Sequence, residues 1–367
     1  MGNSVIYMIP LLVGGMVNDR GFSEAQSGYM ASADLAGYAI STVLTAMVIN
    51  RWSWHRLAYT GLVLMVLANF GTTFASEIPA FALSRVVNGL GSGILAALAS
   101  VSVGQSDNPD RNYGLLLAAS LLYGTAALWG LPVLLAYQGL NGAYWLLMVL
   151  AAAMMLVVHR LPQWHVPARR AATVGSGRGT WLLAGSLLAA IMIFWAAQND
   201  VYAYIERVGH ASGLGATFIG FSLGVANLTG FVGASLVAAL GTRVGRLLPL
   251  TGATAILLAC IVPLTRPLTP LIFILSMGLT ALAWNIVNPF QLGILASVDS
   301  TGRALALAAT VTGAGLAIGP AVGATAIGIG GYDAVLWTSG LFEVISLLLV
   351  LPALHAMSRA QSPVPVS

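Results

Sequence analysis

The sequence contains no lysine, one cysteine and few charged residues of any kind. Only 7% of its 367 residues are charged, whereas 58% are hydrophobic. The single cysteine, Cys260, permits no intramolecular disulfide, and its apolar surroundings favour a small buried side chain. So low a charge content excludes a second, water-soluble domain and indicates an integral membrane protein.

Groupings that carry enzyme chemistry are also missing. The five histidines fall outside the apolar stretches or at their ends, and no Cys/His cluster has metal-ligand spacing. Gly89, Gly91 and Gly93 resemble part of a nucleotide-binding loop, but no strand precedes them and no lysine follows. We therefore expect neither an enzyme nor a metal or other cofactor. Nucleic acid is not an expected partner either, because the arginines form no basic surface.

The chain does contain twelve apolar stretches with short polar connections. A hydrocarbon core about 30 Å thick needs about 20 helical residues, and only helices or closed barrels satisfy the backbone there. The first stretch is short, which indicates either a short first helix or missing upstream residues; a signal peptide is less favoured, because no basic region precedes it. The predicted spans are 4–18, 25–49, 57–75, 79–104, 112–137, 141–158, 181–206, 213–240, 247–264, 269–296, 303–330 and 333–355.

Arginine positions predict the orientation. Basic residues collect in short cytoplasmic loops. If both termini are cytoplasmic, most arginines lie on that side, and only Arg20, Arg207 and Arg266 lie at the opposite ends of the spans. We therefore expect a multi-pass protein of a cell membrane, the inner membrane in a bacterium, with both termini in the cytoplasm and the lipid bilayer as its surroundings.

The longest polar interruption divides the chain into two halves. Residues 159–180 are rich in Arg, Pro, Gly and Ser, and they separate six predicted spans in 1–158 from six in 181–367. The halves resemble each other, because the arginine-containing loop at 50–53 has a counterpart at 242–246, about 190 residues later. The predicted domains are an N-terminal six-helix bundle, a cytoplasmic linker and a C-terminal six-helix bundle with a short tail. Duplicated halves are typical of secondary transporters.

Three local patterns resemble the major facilitator superfamily over essentially the whole chain. Residues 50–56 keep the first arginine and the last basic position of the family's loop between helices two and three, but lack its Asp and Gly. Residues 242–246 keep Arg-x-Gly-Arg, and 85–93 resemble the family's Arg-x-x-x-Gly-x-Gly-x-Gly pattern. Span five departs from the antiporter pattern, with Gly124, Gly130 and a displaced Pro132.

This resemblance implies a polytopic all-α fold of 12 transmembrane helices in two pseudo-symmetric six-helix bundles. It also implies alternating access to a central cavity lined by spans one, four, seven and ten. Arg51, Arg243 and Arg246 correspond to the family's conformational latch at the cytoplasmic face. Asn50 and Thr242 stand where a carboxylate normally pairs with these arginines, so the latch is expected to be weakened.

Ionisable residues inside spans are functional candidates, because a charge in the bilayer costs about 2.5 kcal/mol or more. Asp34 and Arg85 lie at similar depths, so they could pair. The pair could be purely structural. Alternatively, Asp34 could take up a proton when Arg85 turns away, since a neighbouring cation stabilises the carboxylate.

Asp200 is the second candidate for proton coupling. It ends a polar triplet with Gln198 and Asn199, and no partner arginine is evident from the sequence. Trp195, Gln198 and Tyr202 are spaced to share one helical face. Under the resemblance this span lines the cavity, although Asp200 could instead lie near an outer helix end within reach of Arg207.

Uncharged amides and aromatic residues predict a mixed pocket for a small amphipathic or aromatic solute. Such side chains also serve as hydrogen-bonded contacts between helices. Glu343, in the last span, is expected to have a structural or lipid-facing role outside the site. The predicted binding residues are Asn88, Trp195, Gln198, Asn199, Tyr202, Trp284, Asn285 and Asn288.

The predicted function is secondary active transport of a small organic solute by alternating access, with protons as the coupling ion. The alternatives are an uncoupled facilitator, a lipid or amphiphile flippase, and a non-transporting receptor. A receptor would usually carry a soluble signalling domain, which this chain lacks. Direction of transport and substrate identity stay open.

Overall fold

A computed structural model describes residues 2–105, 107, 109–161, 178–240, 245–299 and 303–361. Within these ranges the protein has ten α-helices, one short 3-10 helix at Val158–Arg160 and no β-strand. The α-helices, numbered α1 to α10 in chain order, are Ser4–Arg20, Glu24–Val48, Trp54–Phe74, Ile78–Gly104, Pro109–Met155, Arg178–Ala211, Ala216–Leu240, Leu247–Leu264, Pro270–Val298 and Arg303–Gln361.

The predicted spans agree closely with these helices. The span 247–264 coincides with α8, and the other predicted boundaries differ by a few residues. Nine helices of the described chain are long and apolar enough to cross a membrane, and α1 is shorter, with 17 residues. The protein is therefore all-α and multi-pass. Ten helices replace the twelve predicted, because α5 and α10 each cover two predicted spans.

Both long helices contain a break where the sequence predicts a loop. Gly139 interrupts α5 with φ +62°, a left-handed conformation that glycine adopts without steric cost. The Leu140 backbone N–H that follows donates to Asp19 Oδ2 at 2.5 Å. The Asp19 carboxylate therefore caps the start of the second helical segment. In α10 the break lies at Gly330 and Gly331, and Gly331 has φ +66°.

Two ends of the helical assembly can be distinguished by their contacts. At the Arg207 end, Arg207 of α6 meets Glu24 at the start of α2 and Asn18 near the end of α1. At the Arg246 end, Arg246 at the start of α8 donates to Ser297 Oγ near the end of α9, at 2.8 Å. Helices α1 and α6 therefore run towards the Arg207 end, and α2 and α9 run away from it.

The outer surface is apolar, as a lipid-facing surface must be. Met47, Leu67 and Leu248 are 69%, 60% and 70% exposed. In water such exposure would mark a binding patch, but in a bilayer it removes apolar surface from water. The polar side chains are turned inwards, where Asn69, Asn88 and Asp200 are fully buried.

Glycines allow a close contact between α2 and α4. A Cβ at Gly37 would collide with the Val86 carbonyl oxygen, and one at Gly89 would collide with the Asp34 carbonyl oxygen. Small residues at such crossings let helix backbones approach in membrane proteins. The close approach brings Asp34 of α2 beside Arg85 and Asn88 of α4.

Candidate functional site

A cavity of about 390 Å³ lies between the helices of the first part of the chain and those of the second. Residues from α1, α2 and α5 line one side, and residues from α6, α7, α9 and α10 line the other. Among the described residues, this lining contains aromatic, aliphatic, hydroxyl and amide side chains but no charged one. Its polar and aromatic members are Asn3, Tyr7, Tyr38, Trp195, Gln198, Tyr202, Asn227, Thr280, Trp284, Asn285, Asn288 and Thr312.

Trp195, Gln198 and Tyr202 lie on one face of α6, as their spacing predicts, and all three line this cavity. The Tyr202 hydroxyl donates to the Tyr7 carbonyl oxygen at 2.9 Å, which joins α6 to α1 at the cavity wall. Since Tyr202 is a phenol fixed at one end, it presents its ring to the cavity as a rigid surface.

A second wall comes from α9, where Trp284, Asn285 and Asn288 line the cavity. The rings of Trp195 and Trp284 meet edge to face, with centroids 5.3 Å apart and planes at 81°. The Trp195 indole Nε1 donates to Asn288 Oδ1 at 3.3 Å. This arrangement offers two indole rings for stacking and amide groups that can orient a neutral polar substituent.

Two of the predicted binding residues, Asn88 and Asn199, lie outside the cavity lining, and so does the predicted coupling residue Asp200. Asn199 Nδ2 donates to the Trp195 carbonyl oxygen of its own helix at 3.0 Å. Asp200 is directed towards α10, where its Oδ1 occupies the space that a Cβ at Gly323 would need. Neither carboxylate oxygen of Asp200 has a hydrogen-bond partner among the described residues.

Asp34 and Arg85 do form the predicted pair. Arg85 Nη1 lies 3.5 Å from Asp34 Oδ2, and both side chains are almost fully buried. Asn88 Nδ2 donates to both carboxylate oxygens, at 3.0 and 3.1 Å, and Asn88 Oδ1 accepts from Asn69 Nδ2 at 2.9 Å. Asn88 therefore belongs to this closed network between α2, α3 and α4, and not to the cavity wall.

The same network holds the two terminal nitrogens of Arg85, whereas its Nε has no hydrogen-bond partner among the described residues. Its Nη2 donates to Asn69 Oδ1 at 3.2 Å and to the Thr72 hydroxyl, and its guanidinium lies 4.4 Å from the centroid of the Tyr144 ring. A cation over an aromatic face gains about 2 kcal/mol when both are shielded from water. Asp34 and Arg85 thus form a buried ion pair outside the cavity lining.

Glu343 was expected to be structural or lipid-facing, and the lipid-facing interpretation is wrong. Its side chain is 2% exposed, and its Oε1 accepts from Gln198 Nε2 at 2.5 Å. Ser339, Glu343 and Ser346 follow each other at i, i+4 and i+7, so they form one polar face directed at α6. That spacing was readable in the sequence and could have placed Glu343 inside the protein.

Glu206 is another buried carboxylate. The sequence analysis did not single it out, because the predicted span ended at this residue. It is 3% exposed, and its Oε2 has no hydrogen-bond partner among the described residues. It packs against Gly14 of α1, where a Cβ would collide with the carboxylate. Only a glycine at position 14 leaves room for it.

The first and second parts of the chain join at the Arg207 end. Glu24 Oε1 lies 3.2 Å from Arg207 Nη2 and also accepts from the Tyr332 hydroxyl. The Tyr204 hydroxyl donates to the Glu24 carbonyl oxygen at 3.2 Å, and Arg207 Nη1 donates to Asn18 Oδ1 at 3.1 Å. This set of contacts, the Arg207 seam, closes that end of the assembly. Arg207 thus pairs with Glu24 and not with Asp200.

The three predicted latch arginines have different standing. Arg246 donates to Ser297 Oγ and, at 3.7 Å, to Met357 Sδ. It therefore connects the start of α8 with the last turns of α9 and α10. Arg51 is exposed in the turn after α2. Arg243 and most of the predicted linker, residues 162–177, lie outside the described residues.

In the part of the chain that the structure describes, no group of three His, Cys, Asp or Glu residues could hold a metal ion.

Comparison with known proteins identifies the family of this chain. The family model of the Major Facilitator Superfamily matches residues 1–299. A chloramphenicol resistance protein of Streptomyces lividans is 25% identical over an alignment of 382 positions, which covers 96% of this chain and 93% of that protein.

Solved structures share the fold at low sequence identity. A variant of the nucleoside transporter NupG superposes with a TM-score of 0.74 at 14% identity, over 95% of each chain. A variant of the peptide transporter POT in complex with sulfate gives 0.72 at 15% identity, over 98% of this chain and 92% of that one. The chain belongs to the major facilitator superfamily, a family of membrane transporters and not of enzymes.

Proposed function

We propose that the protein exports a small, neutral, amphipathic solute with an aromatic ring, and that proton movement drives this export. The observation that carries the proposal is the cavity, whose described lining combines two tryptophans with several amides and no charge. An uncharged wall favours a neutral ligand, because a buried ion without a partner costs several kcal/mol. Chloramphenicol, a neutral nitroaromatic amide, has this chemistry, and a relative that covers nearly the whole chain is named for resistance to it.

The proposed topology has twelve crossings. The breaks at Gly139 and Gly331 divide α5 and α10 into two crossings each. The two six-helix bundles are then 1–158 and 181–367, connected by the linker 159–180, with both termini and the Arg246 end in the cytoplasm. The closed Arg207 seam and the extension of the cavity to Asn3 support an inward-facing state in this proposed topology.

Asp34 with Arg85, and Asp200, are the proposed coupling groups. Each carboxylate is buried beside the cavity without touching it, so ligand and proton occupy separate places. Separate sites can still be coupled when both bias one conformational equilibrium. Arg51, Arg243 and Arg246 are the proposed latch at the cytoplasmic face.

Proteoliposomes test this function. We expect an imposed pH gradient to drive accumulation of labelled chloramphenicol against its own gradient, with matching alkalinisation reported by a trapped dye. Asp34→Asn and Asp200→Asn should each abolish accumulation, whereas Glu77→Gln, an exposed carboxylate at the start of α4, should not.

Two results would count against the proposal. Chloramphenicol flux without proton movement, unchanged in Asp34→Asn and Asp200→Asn, would identify an uncoupled facilitator. A complete lack of chloramphenicol flux in a folded preparation would reject this substrate class. Scrambling of labelled lipid in the same vesicles would favour the flippase alternative.

The cavity wall gives a separate prediction. Trp195→Ala should raise the Kd for chloramphenicol about ten-fold, since it removes a partly buried aromatic side chain and the edge-to-face partner of Trp284. Trp181→Ala is the matched control, because Trp181 lies on the same helix but is 38% exposed at the surface. Equal affinities of both variants, measured by calorimetry, would show that the ligand binds elsewhere.

A further inference from the structure

One amide connects the cavity with a buried carboxyl group. Gln198 lines the cavity, and its Nε2 donates to Glu343 Oε1 at 2.5 Å. Both residues are buried, Gln198 to 6% exposure and Glu343 to 2%. A ligand that contacts Gln198 is therefore one hydrogen bond away from an ionisable group.

The surroundings of Glu343 leave this amide as its principal partner. Ser339 and Ser346, on the same face of α10, donate to the Ala197 and Ala190 carbonyl oxygens of α6, each at 2.9 Å. From α9, Gln291 donates to Ser346 Oγ at 3.0 Å.

Among the described residues, no ion pair involves the Glu343 carboxyl group. The side of α10 next to it meets α8 through Gly340, which faces Ile261 and Leu258. The ion pairs of the described residues, Arg85 with Asp34 and Arg207 with Glu24, lie elsewhere. No titratable group from α6, α8 or α9 has a described contact with Glu343. The Gln198 amide is therefore the polar group whose hydrogen bond changes when Glu343 gains or loses a proton.

A primary amide has a donor side and an acceptor side, and a carboxyl group selects between them. An ionised carboxylate can only accept, so it holds the amide NH₂. A protonated carboxyl group carries an O–H donor, which the amide carbonyl oxygen can accept after the amide turns over. Whichever side faces Glu343, the opposite side faces the cavity.

We propose that Gln198 and Glu343 form a protonation-controlled amide switch that sets the hydrogen-bonding character of the cavity. With Glu343 ionised, Gln198 offers its carbonyl oxygen and selects ligands that carry hydroxyl or N–H donors. With Glu343 protonated, Gln198 offers its NH₂ and selects ligands that carry carbonyl or nitro acceptors. By linkage, an acceptor ligand that binds this NH₂ raises the affinity of Glu343 for a proton.

The inference rests on the proposed function only for the identity of the ligand, so the first experiment uses none. Infrared difference spectra of the ligand-free protein at a series of pH values should show a carboxylic C=O band that is lost in Glu343→Gln. A side-chain amide band that is lost in Gln198→Leu should change over the same pH range. A Glu343 band that titrates without the amide change, or a Glu343 band that never titrates, overturns the switch.

The second experiment measures chloramphenicol affinity by calorimetry over that pH range. We expect the Kd of the unchanged protein to vary about five-fold, the equivalent of one ordinary hydrogen bond. Glu343→Gln and Gln198→Leu should each give a Kd independent of this titration. Glu206→Gln, a buried carboxylate of α6 that does not line the cavity, should retain the dependence.

The two experiments separate the switch from the proposed function. An amide change in the infrared spectra without chloramphenicol binding would support the switch and reject the ligand class. Proton-driven chloramphenicol transport with a Kd that is constant with pH, and with no amide change, would support the function and reject the switch.

Discussion

Replacing Asp34 with alanine is expected to lower the free energy of unfolding by about 3–5 kcal/mol, because it leaves the buried Arg85 guanidinium without its counter-charge. The two amide donations from Asn88 also lose their acceptor. Asp34→Asn should cost less, because an amide oxygen replaces one of the two acceptors. The measurement is the temperature at which half of the detergent-solubilised monomer is lost from a size-exclusion peak.

A double variant tests whether the uncompensated charge is the cause. Asp34→Ala combined with Arg85→Met removes both charges, and an apolar side chain of similar length fills the space beside Tyr144. We expect this variant to be more stable than Asp34→Ala alone, although Asn69 and Thr72 lose the Arg85 donor. A double variant as unstable as the single one would show that the shape of the network matters more than its charge balance.

The sequence predicted the helices well because bilayer thickness and backbone hydrogen bonding leave few alternatives. Length and hydropathy located the ends of the described helices to within a few residues, and two of the predicted loops coincide with the breaks at Gly139 and Gly331. Helical spacing likewise grouped Trp195, Gln198 and Tyr202 correctly, since three and four residues make one turn.

The same spacing rule explains why other site residues were placed less accurately. Gln198, Asn199 and Asp200 were assigned together, but neighbours on a helix do not share a face. Gln198 faces the cavity, whereas Asp200, two residues further, faces Gly323 of α10. Asn88 follows Arg85 by three residues, and it accordingly joins the Arg85 network.

Contacts between distant parts of the chain could not be derived from spacing. The sequence shows that Glu24, Arg207 and Tyr332 lie near helix ends, but not that they meet. The Gln198–Glu343 bond joins residues 145 positions apart. Such pairs depend on how the helices rotate against each other, which one sequence does not determine.

Placement of charge follows one rule throughout the described structure. The cavity lining is neutral, whereas Asp34, Asp200, Glu206 and Glu343 are buried in contacts between helices around it. A charge in the cavity would bind ions and repel apolar rings, but a charge between helices responds to how those helices pack. Under the proposed function, this separation is the feature that allows a neutral ligand and a proton to bind in different places.

Replacing Gly28 with leucine is expected to prevent closure of the Arg207 seam and to reduce transport by about 10–100-fold. A Cβ at this position would collide with the Tyr204 hydroxyl and would lie 2.9 Å from the Pro320 carbonyl oxygen. Tyr204 and Pro320 belong to α6 and α10, so the added side chain forces α2 away from both. Overpacking costs about 1–3 kcal/mol, which is enough to shift a two-state equilibrium by that factor.

The distance between the two proposed bundles reports this shift directly. Spin labels at Glu77→Cys and Arg266→Cys, both exposed at the Arg207 end, can be introduced in a Cys260→Ser background. We expect a longer distance in Gly28→Leu with the monomer peak retained, because the bundles can separate there without unfolding. Gly71→Leu is the matched control, since nothing lies within 4 Å of a Cβ at Gly71. Loss of the monomer peak in Gly28→Leu alone would mean that the two bundles fold as one body. An unchanged distance with normal transport would show that opening of the Arg207 seam is not a step of transport.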